Sequence, residues 1–415
     1  MIQNSRNRRF IRKLSQGGIC FHSVDVTFYL IIYIYTTNTD FSNSYRHKLY
    51  SMIIYSIYRR IYMSKDIKTY HEQTYIDNTL RLRDILNTMP PFAKDYFRAI
   101  EPTTSAKTRI SYAYDIRVFF RFLVDQNPIY KNYTMDMFTL HDLECIEPID
   151  IEEYQEYLKV YKNDEKRITN QERGLSRKMS ALRSFYGYYY KHQAITKNPT
   201  LLVDMPKLHE KAIVRLDVDE VAMLLDHVEQ CGAQLTGQRK VYYEKNKSRD
   251  LAILTLLLGT GIRVSECVGL DIQDVDLKNN GIKVTRKGGN EMVVYFGEEV
   301  KQALLTYLEG DRAATTPLPE YENALFLSTQ KKRIGVQAVE NMVKKYAREV
   351  TPNKKITPHK LRSTYGTSLY KETGDIYLVA DVLGHKDVNT TKKHYAAIDE
   401  NRRRQAASAV KLREP

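Results

Sequence analysis

The chain has 415 residues, enough for two domains with separate hydrophobic cores and for additional segments. Hydrophobic residues make up 42% of it and charged residues 27%, a balance typical of a soluble globular protein rather than of a membrane protein or a disordered chain. The formal net charge of +14 indicates a polyanionic partner such as nucleic acid.

Residues 1–62 differ in composition from the rest and carry nine Lys/Arg against two acids, which is +7 of the net charge. They show no sustained helical or strand period, and amphipathic spacing begins after Met63. We expect 1–62 to be disordered or to be a translated upstream segment, with Met63 as the natural start. The apolar run Phe28–Tyr35 is shorter than the roughly 20 residues of a membrane-spanning helix, and no cleavage site of small residues follows it. We therefore predict neither a membrane anchor nor a signal peptide.

The four cysteines are scattered and form no Cys-x-x-Cys pair. A disulfide framework or a zinc site is therefore not expected, and a reducing compartment fits this spacing. We predict a cytoplasmic protein, and we expect no contact between this protein and a membrane.

Helical spacing predicts an amino-terminal extension over 63–104 and a helical domain over 105–200. The predicted helices of that domain cover Ile110–Asp125, Ile149–Tyr161 and Gly174–His192. The stretch Ala194–Lys211 has two prolines and no clear period, and we place the interdomain linker at 201–213.

The second predicted domain covers 214–415 and opens with the helix LDVDEVAMLLDHV, which carries an Asp capping signal. The nearly all-apolar helix Arg249–Leu258 follows as the central one, and IKVTRKGGNEMVVYF reads as a strand, a Gly-Gly turn and a strand. Helices return after Lys301, and a short tail helix begins at about Asp399. The predicted fold class is mainly α with a small β-sheet (α+β).

Five fragments of the second domain hold polar residues with catalytic potential: GTGIRVSE, TRKGGN, TPHKLR, LGH and the final HY of LGHKDVNTTKKHY. Their candidate residues, in chain order, are Arg263, Glu266, Lys287, His359, Arg362, His385 and Tyr395. Each fragment alone is commonly structural, as a helix cap, a solvated hairpin tip, a packed helical pair or a surface residue. Their combination and order point to a shared site.

Read together, these fragments resemble the catalytic domain of the tyrosine recombinase (phage integrase) family, in its Xer/integrase-like form, from about Leu216 to the end of the chain. The helical first domain is similar to the core-binding (SAM-like) DNA-binding domain of that family. The resemblance implies a C-shaped clamp around double-stranded DNA and strand transfer through a 3′-phosphotyrosyl bond. It also implies that no ATP, metal or other cofactor takes part.

The chemistry of strand transfer assigns a role to each candidate. Arg263 and Arg362 would bind the non-bridging phosphate oxygens with planar, permanently charged groups. The resemblance implies that Tyr395 is the nucleophile, and two nearby guanidinium groups would help its phenol ionise. His359 would act as base or acid, because imidazole titrates near neutrality.

Lys287 would protonate the leaving 5′ oxygen, His385 would hydrogen-bond the phosphate, and Glu266 would orient the arginine cluster. The hairpin departs from the family pattern, because Arg286 stands where a glycine is more usual and competes for the place of Lys287. His385 and Tyr395 are ten residues apart, whereas family members commonly show nine.

Basic residues concentrate in Lys166–Lys197, with eight Lys/Arg against one acid, and in Lys331–Arg362, with ten against two. Two such patches in different domains are typical of a clamp on a phosphate backbone, although two solvated helix faces would look similar. The DNA-contacting residues that we predict are Arg177, Lys178, Arg183, Lys331, Lys332, Arg333, Lys344 and Lys345.

The leading interpretation is a site-specific DNA recombinase or integrase of a mobile element. We expect a homotetramer on two DNA sites with exchange of the carboxyl-terminal tails, and an accessory directionality factor is compatible with it. Two alternatives stay open, a type IB-like nicking–closing topoisomerase and a non-catalytic basic DNA-binding regulator.

Overall fold

A computed structural model of the protein describes residues 69–163, 166–209, 214–286, 289–385 and 388. The predicted upstream segment 1–62, Lys287, Tyr395 and the tail helix from Asp399 lie outside these ranges. All described residues belong to the compact unit 68–415. Among them, no helix is both long and apolar enough to cross a membrane.

The first part of the described chain is helical, with one short hairpin. Its elements are α1 (Tyr70–Leu86), α2 (Ala93–Ala99), α3 (Ala106–Gln126), α4 (Leu140–Cys145), α5 (Pro148–Lys159), β1 (Val160–Asn163), β2 (Lys166–Thr169) and α6 (Glu172–Lys191). Side-chain caps set several starts: Thr69 and Glu72 form a capping box on α1, and Ser105 accepts from the backbone N–H of Thr108 on α3. The three helices predicted for this region all form, within a few residues of the expected bounds.

The β1–β2 hairpin was not predicted, because the helical pattern was extended to Tyr161. The helix ends at Lys159, and Val160 pairs with Thr169 across an antiparallel hairpin. Val160 and Tyr161 both favour extended backbone, and a four-residue strand is too short for its alternation to stand out in the sequence.

The second part holds a long central helix, a small sheet and a set of surrounding helices. Its elements are α7 (Val218–Gln230), α8 (Gly237–Thr260), α9 (Val264–Gly269), β3 (Val275–Asp276), β4 (Gly281–Thr285), β5 (Glu291–Tyr295), α10 (Glu298–Tyr307), α11 (Val336–Val350), α12 (Pro358–Thr373) and α13 (Ile376–Leu383). The strands form an antiparallel sheet in the order β3-β4-β5, with Thr285 opposite Glu291 at the turn end of the β4–β5 hairpin. The predicted α+β class is confirmed.

The described hydrophobic side chains form two large buried clusters. The first runs from Leu82 to Val203 and is rich in aromatic rings, and the second runs from Leu216 to Leu361. On β4, Ile282 and Val284 belong to the second cluster while Lys283 between them is exposed. This alternation lays one face of the hairpin on the core and fixes its register, and with it the residues at the hairpin tip.

Candidate active site

The first residue of the site, Arg263, lies just after the end of the central helix α8. α8 closes at Gly261, whose φ of +64° is a left-handed cap, and the chain turns so that Arg263 is the N-cap of α9. Glu266, only 5% exposed, accepts from the backbone N–H of Arg263 at 2.8 Å and from its Nη1 at 2.7 Å. The buried carboxylate therefore fixes both the backbone and the guanidinium of Arg263.

Arg362 reaches the same place from α12. Thr357 precedes this helix as its N-cap and Pro358 opens it, as the sequence predicted. Arg362 is 6% exposed, and its Nη1 donates to the carbonyl oxygen of Gly261 at 2.5 Å. His359 lies one turn earlier on the same helix with its side chain exposed.

The carboxyl end of α13 is the point where these groups meet. Gly384 caps the helix with a φ of +61°, and its N–H donates to Asp381 at 2.8 Å, while the N–H of His385 donates to Ala380 at 2.9 Å. We call residues 381–384, with the backbone carbonyls at this helix end, the 381–384 turn. A helix end presents carbonyls that lack intrahelical donors and carries partial negative charge, which suits cations.

Three guanidinium groups donate to the 381–384 turn. Arg362 donates through Nη2 to the carbonyl of Leu383, and Arg263 donates through Nη2 to that of Gly384 at 3.4 Å. The third group is Arg286 at the tip of the β4–β5 hairpin, whose Nη2 donates to the carbonyl of Val382 at 2.7 Å. The structure thus brings Arg263, Glu266 and Arg362 together directly beside His385.

Arg286 is the residue of this site that sequence reasoning did not identify in its own right. It was named only as a competitor for the place of Lys287, and its one sequence signal was that it stands where a glycine is more usual. Burial lowers the pKa of Arg286 below its ordinary value and the charge of Arg263 adds to that effect, whereas Glu266 and Asp381 oppose it. The carboxylate and the helix end therefore balance a concentration of positive charge.

The predicted DNA-contacting residues fall into two groups in the structure. Four are engaged inside the protein: Lys178 pairs with buried Asp115 at 2.9 Å, the more exposed Arg177 pairs with the same carboxylate, Arg183 donates to the carbonyls of Thr200 and Val203, and Arg333 donates to Val268, Leu270 and Asp271. These four charges stabilise the fold, because they donate to acceptors within the protein. The others are Lys331, Lys332 and Lys345, which have exposed side chains, and Lys344, which is half-buried.

Two predicted site residues, Lys287 and Tyr395, lie outside the described ranges. Within those ranges, no three His, Cys, Asp or Glu side chains are grouped in a way that could hold a metal ion. The described part of the site is therefore a cluster of arginines and one buried carboxylate around a helix end, with His359 and His385 on the elements that form it.

Comparison with known proteins gives this geometry a context. The profile of the phage integrase family matches residues 214–402. Tyrosine recombinase XerC of Caldanaerobacter subterraneus subsp. tengcongensis is 32% identical over 328 residues, covering 77% of this chain and 86% of the relative. Tyrosine recombinase XerD of Staphylococcus epidermidis is 34% identical over 220 residues, covering 53% of this chain and 70% of the relative.

Among solved structures, the Tn1549 transposon integrase in complex with transposon right end DNA has a similar fold. The TM-score is 0.54 at 20% sequence identity, and the match covers 77% of this chain and 99% of that one. At this identity the likeness concerns the fold.

Proposed function

Since the chain belongs to the phage integrase family of tyrosine recombinases, we propose that it cuts and rejoins DNA strands at a specific site through a 3′-phosphotyrosyl bond to Tyr395. The observation that carries the proposal is the convergence of Arg263 and Arg362 on neighbouring carbonyls, those of Gly384 and Leu383. They arrive from elements far apart in the chain, so the fold brings two permanently charged groups to the residues just before His385, and Tyr395 follows ten positions later in the sequence.

The proposed reaction is an in-line exchange at phosphorus. The phenolate oxygen of Tyr395 attacks the phosphorus atom, the bond to the 5′ oxygen breaks, and Lys287 supplies the proton that the leaving 5′ hydroxyl needs. Arg263 and Arg362 stabilise the charge that develops on the non-bridging oxygens. His359 accepts the phenol proton and returns it in the reverse step.

The reverse step explains strand exchange. The phosphotyrosyl bond keeps the energy of the phosphodiester, so a 5′ hydroxyl from a second duplex can attack it and release Tyr395. His385 follows the 381–384 turn, and we propose that its imidazole hydrogen-bonds the phosphate. Glu266 orients Arg263 through the two bonds described above.

DNA binding is proposed to use the exposed basic side chains. Lys331 and Lys332 are exposed and contribute two positive charges, and Arg177 on α6 is exposed while its guanidinium pairs with the buried Asp115. The solved Tn1549 integrase and a λ integrase dimer, both similar in fold, are DNA complexes. We propose that two such patches grip the phosphate backbone and that two duplexes are joined in a tetramer through the carboxyl-terminal tails.

The origin of the protein in a mobile element is a separate proposal. The curated relatives are named XerC and XerD, and one solved relative in fold is a transposon integrase. Sequencing the DNA that flanks the gene tests it. Direct or inverted repeats bounding a segment that excises and circularises would support the proposal, and a chromosomal locus without repeats or excision product would contradict it.

A covalent trapping experiment tests the strand-transfer proposal and selects the DNA site in the same step. The full chain is mixed with a pool of randomised duplexes that carry one fixed nick, so that cleavage just upstream of the nick releases a short 5′-hydroxyl fragment that diffuses away. Protein–DNA adducts that survive SDS are recovered, sequenced and enriched. We expect one sequence to emerge with the wild-type chain and no adduct with Tyr395→Phe.

The matched control is Tyr377→Phe, which removes one exposed phenolic hydroxyl on α13 and should trap the same sequence at the wild-type rate. An adduct that still forms with Tyr395→Phe would contradict the nucleophile. Trapping without sequence preference would favour the nicking–closing topoisomerase. The selected duplex then serves as substrate for every variant below.

A further inference from the structure

Arg286 joins two elements that are distant in the chain. Its backbone is fixed by the hairpin, because its N–H donates to the carbonyl of Asn290 at 2.8 Å and its own carbonyl accepts from Gly289 at 3.0 Å. Its guanidinium donates to the carbonyl of Val382 at 2.7 Å and reaches that of Asp381 at 3.4 Å. One side chain therefore ties the hairpin tip to the end of α13.

The contact is close enough to constrain the residue opposite. A Cβ on Gly384 would lie 1.4 Å from Nη1 and 2.2 Å from Cζ of Arg286, far inside any allowed contact. Gly384 also has a φ of +61°, which other L-residues rarely adopt. The guanidinium lies directly against the glycine, and a side chain at position 384 would have to displace it.

The arrangement has a local cost. Nε of Arg286 is buried and has no hydrogen-bond partner among the described residues, and its charge stands near that of Arg263. Buried polar groups are nearly always paired, so an exception calls for an explanation. Proteins depart from the general rules of stable structure most often at functional sites.

The position of the contact suggests that function. The 381–384 turn leads directly into His385 and onward to Tyr395, while the hairpin tip leads from Arg286 into Lys287. Two of the proposed catalytic groups are thus covalent neighbours of the two ends of this contact. A displacement of the hairpin tip or of the 381–384 turn would therefore move a reacting group relative to the phosphate.

We propose that Arg286 is a positioning residue of the strand-transfer site, a clamp that sets the hairpin tip and the 381–384 turn in one fixed arrangement. The proposal rests on the proposed function, because its consequence is the alignment of Lys287, His385 and Tyr395 around one phosphate. Arg286 acts through these neighbours and needs no contact with the phosphate.

The first test needs no DNA. Hydrogen exchange of the Gly384 and His385 amides, which are bonded at 2.8 and 2.9 Å, reports how firmly the turn is held. We expect Arg286→Ala to accelerate their exchange by about tenfold or more, because the turn opens locally without unfolding the domain. Arg239→Ala removes an exposed arginine of α8 and should leave both amides unchanged. Unchanged exchange in Arg286→Ala would overturn the clamp.

The second test is single-turnover trapping on the selected duplex. Arg286→Ala should slow adduct formation by up to about a hundredfold, the cost of a misplaced reacting group. The DNA dissociation constant should stay within about twofold, because the lost alignment acts on the transition state rather than on binding. Arg286→Lys, which keeps the charge and one donor, should recover part of the rate. A normal rate in Arg286→Ala overturns the proposal, as does a loss in rate that follows a loss in DNA affinity.

A double-mutant cycle separates the clamp from simple loss of structure. In the wild-type background, Gly384→Ala introduces a methyl group into the guanidinium, whereas in Arg286→Ala that collision is gone and only the strain of the positive φ is left. We expect the penalty of Gly384→Ala on the trapping rate to be smaller in the Arg286→Ala background. Penalties that multiply independently would overturn the pairing.

The trapping results distinguish failure of the clamp from failure of the proposed strand-transfer function. If the wild-type chain traps no DNA, the strand-transfer function fails, and the role of Arg286 in positioning the reacting groups fails with it. If the wild-type chain traps DNA through Tyr395 while Arg286→Ala behaves as wild type, the clamp alone fails.

Discussion

At the scale of single residues, the site depends on how its positive charges are balanced. Arg263 is 37% exposed at its side chain and is tied to a carboxylate that is almost fully buried. This arrangement presents the guanidinium outward while its orientation is set from within. Its permanent charge and planar donors are what a trigonal bipyramidal phosphorus requires.

Arg263→Ala should therefore slow cleavage of the selected duplex strongly while the protein stays folded. We expect a loss of about 2.7–4 kcal/mol in transition-state stabilisation, comparable to removal of one preorganised oxyanion donor. Single-turnover trapping measures the rate, and circular dichroism checks the fold. Arg239→Ala is the matched surface control, and equal rates in the two variants would contradict the assignment.

A second residue-scale prediction concerns Asp115, which is 1% exposed on α3. It pairs with Lys178 at 2.9 Å and with Arg177, both on α6, so it holds two helices together. Asp115→Ala leaves the Lys178 ammonium buried without its partner, and we expect it to cost about 3–5 kcal/mol of unfolding free energy.

Urea denaturation measures this change, and an exposed ion pair provides the control. Asp95 and Arg98 on α2 are 3.3 Å apart and largely solvated, so Asp95→Ala should shift the free energy of unfolding by less than about 0.5 kcal/mol. Similar losses in the two variants would show that burial of the Asp115 ion pair does not determine how much it contributes to the free energy of unfolding.

At the scale of elements, the β4–β5 hairpin is the most informative, because it carries Arg286, and Lys287 follows Arg286 in the sequence. Ile282→Ala removes a fully buried side chain, and we expect it to cost about 2–5 kcal/mol of unfolding free energy. Val293→Ala, on the half-exposed face of the partner strand, should cost far less. Denaturant titration of both variants checks the difference, and equal costs would contradict the register.

The helices show what a sequence can predict at this scale. α3, α5, α6 and α7 follow from apolar spacing and from caps such as Asp217 with Glu220, which are local signals. α8 is longer than the apolar stretch from which it was predicted. Its amino-terminal half is polar and largely exposed, so the helical period there is not visible in the sequence. The β1–β2 hairpin was missed for a related reason, since four residues of strand leave too little pattern.

The candidate site shows the same difference between what local sequence signals predict and what they do not. Arg263, Glu266, His359 and Arg362 were predicted from short motifs, and the structure gathers Arg263, Glu266 and Arg362 by long-range packing. The clamp by Arg286 could not be predicted, because it depends on an approach between residues 95 positions apart or more. A short motif records which residues follow one another but not which helix end lies above them.

At the scale of the whole molecule, the net charge of +14 is less informative than where the exposed charges lie. Lys331 and Lys332 are both exposed in a segment with few acids. If each contacts a phosphate, Lys331→Ala with Lys332→Ala should reduce the slope of log affinity against log salt by about two, since each contact releases about 0.9 counterion.

Fluorescence anisotropy on the selected duplex at several salt concentrations measures this slope. Lys94→Ala removes an exposed lysine of α2 outside both basic patches and should leave it unchanged. An unaltered slope in the double variant would show that this pair does not contact the DNA backbone.

The most direct test of strand transfer is to locate the covalent bond itself. The trapped adduct of the wild-type chain is digested with nuclease and protease, and the peptide that retains a nucleotide is sequenced by mass spectrometry. We predict a 3′-phosphonucleotide on Tyr395 together with a free 5′ hydroxyl on the released strand. A nucleotide attached to any other residue, or a 5′-linked one, would contradict the account.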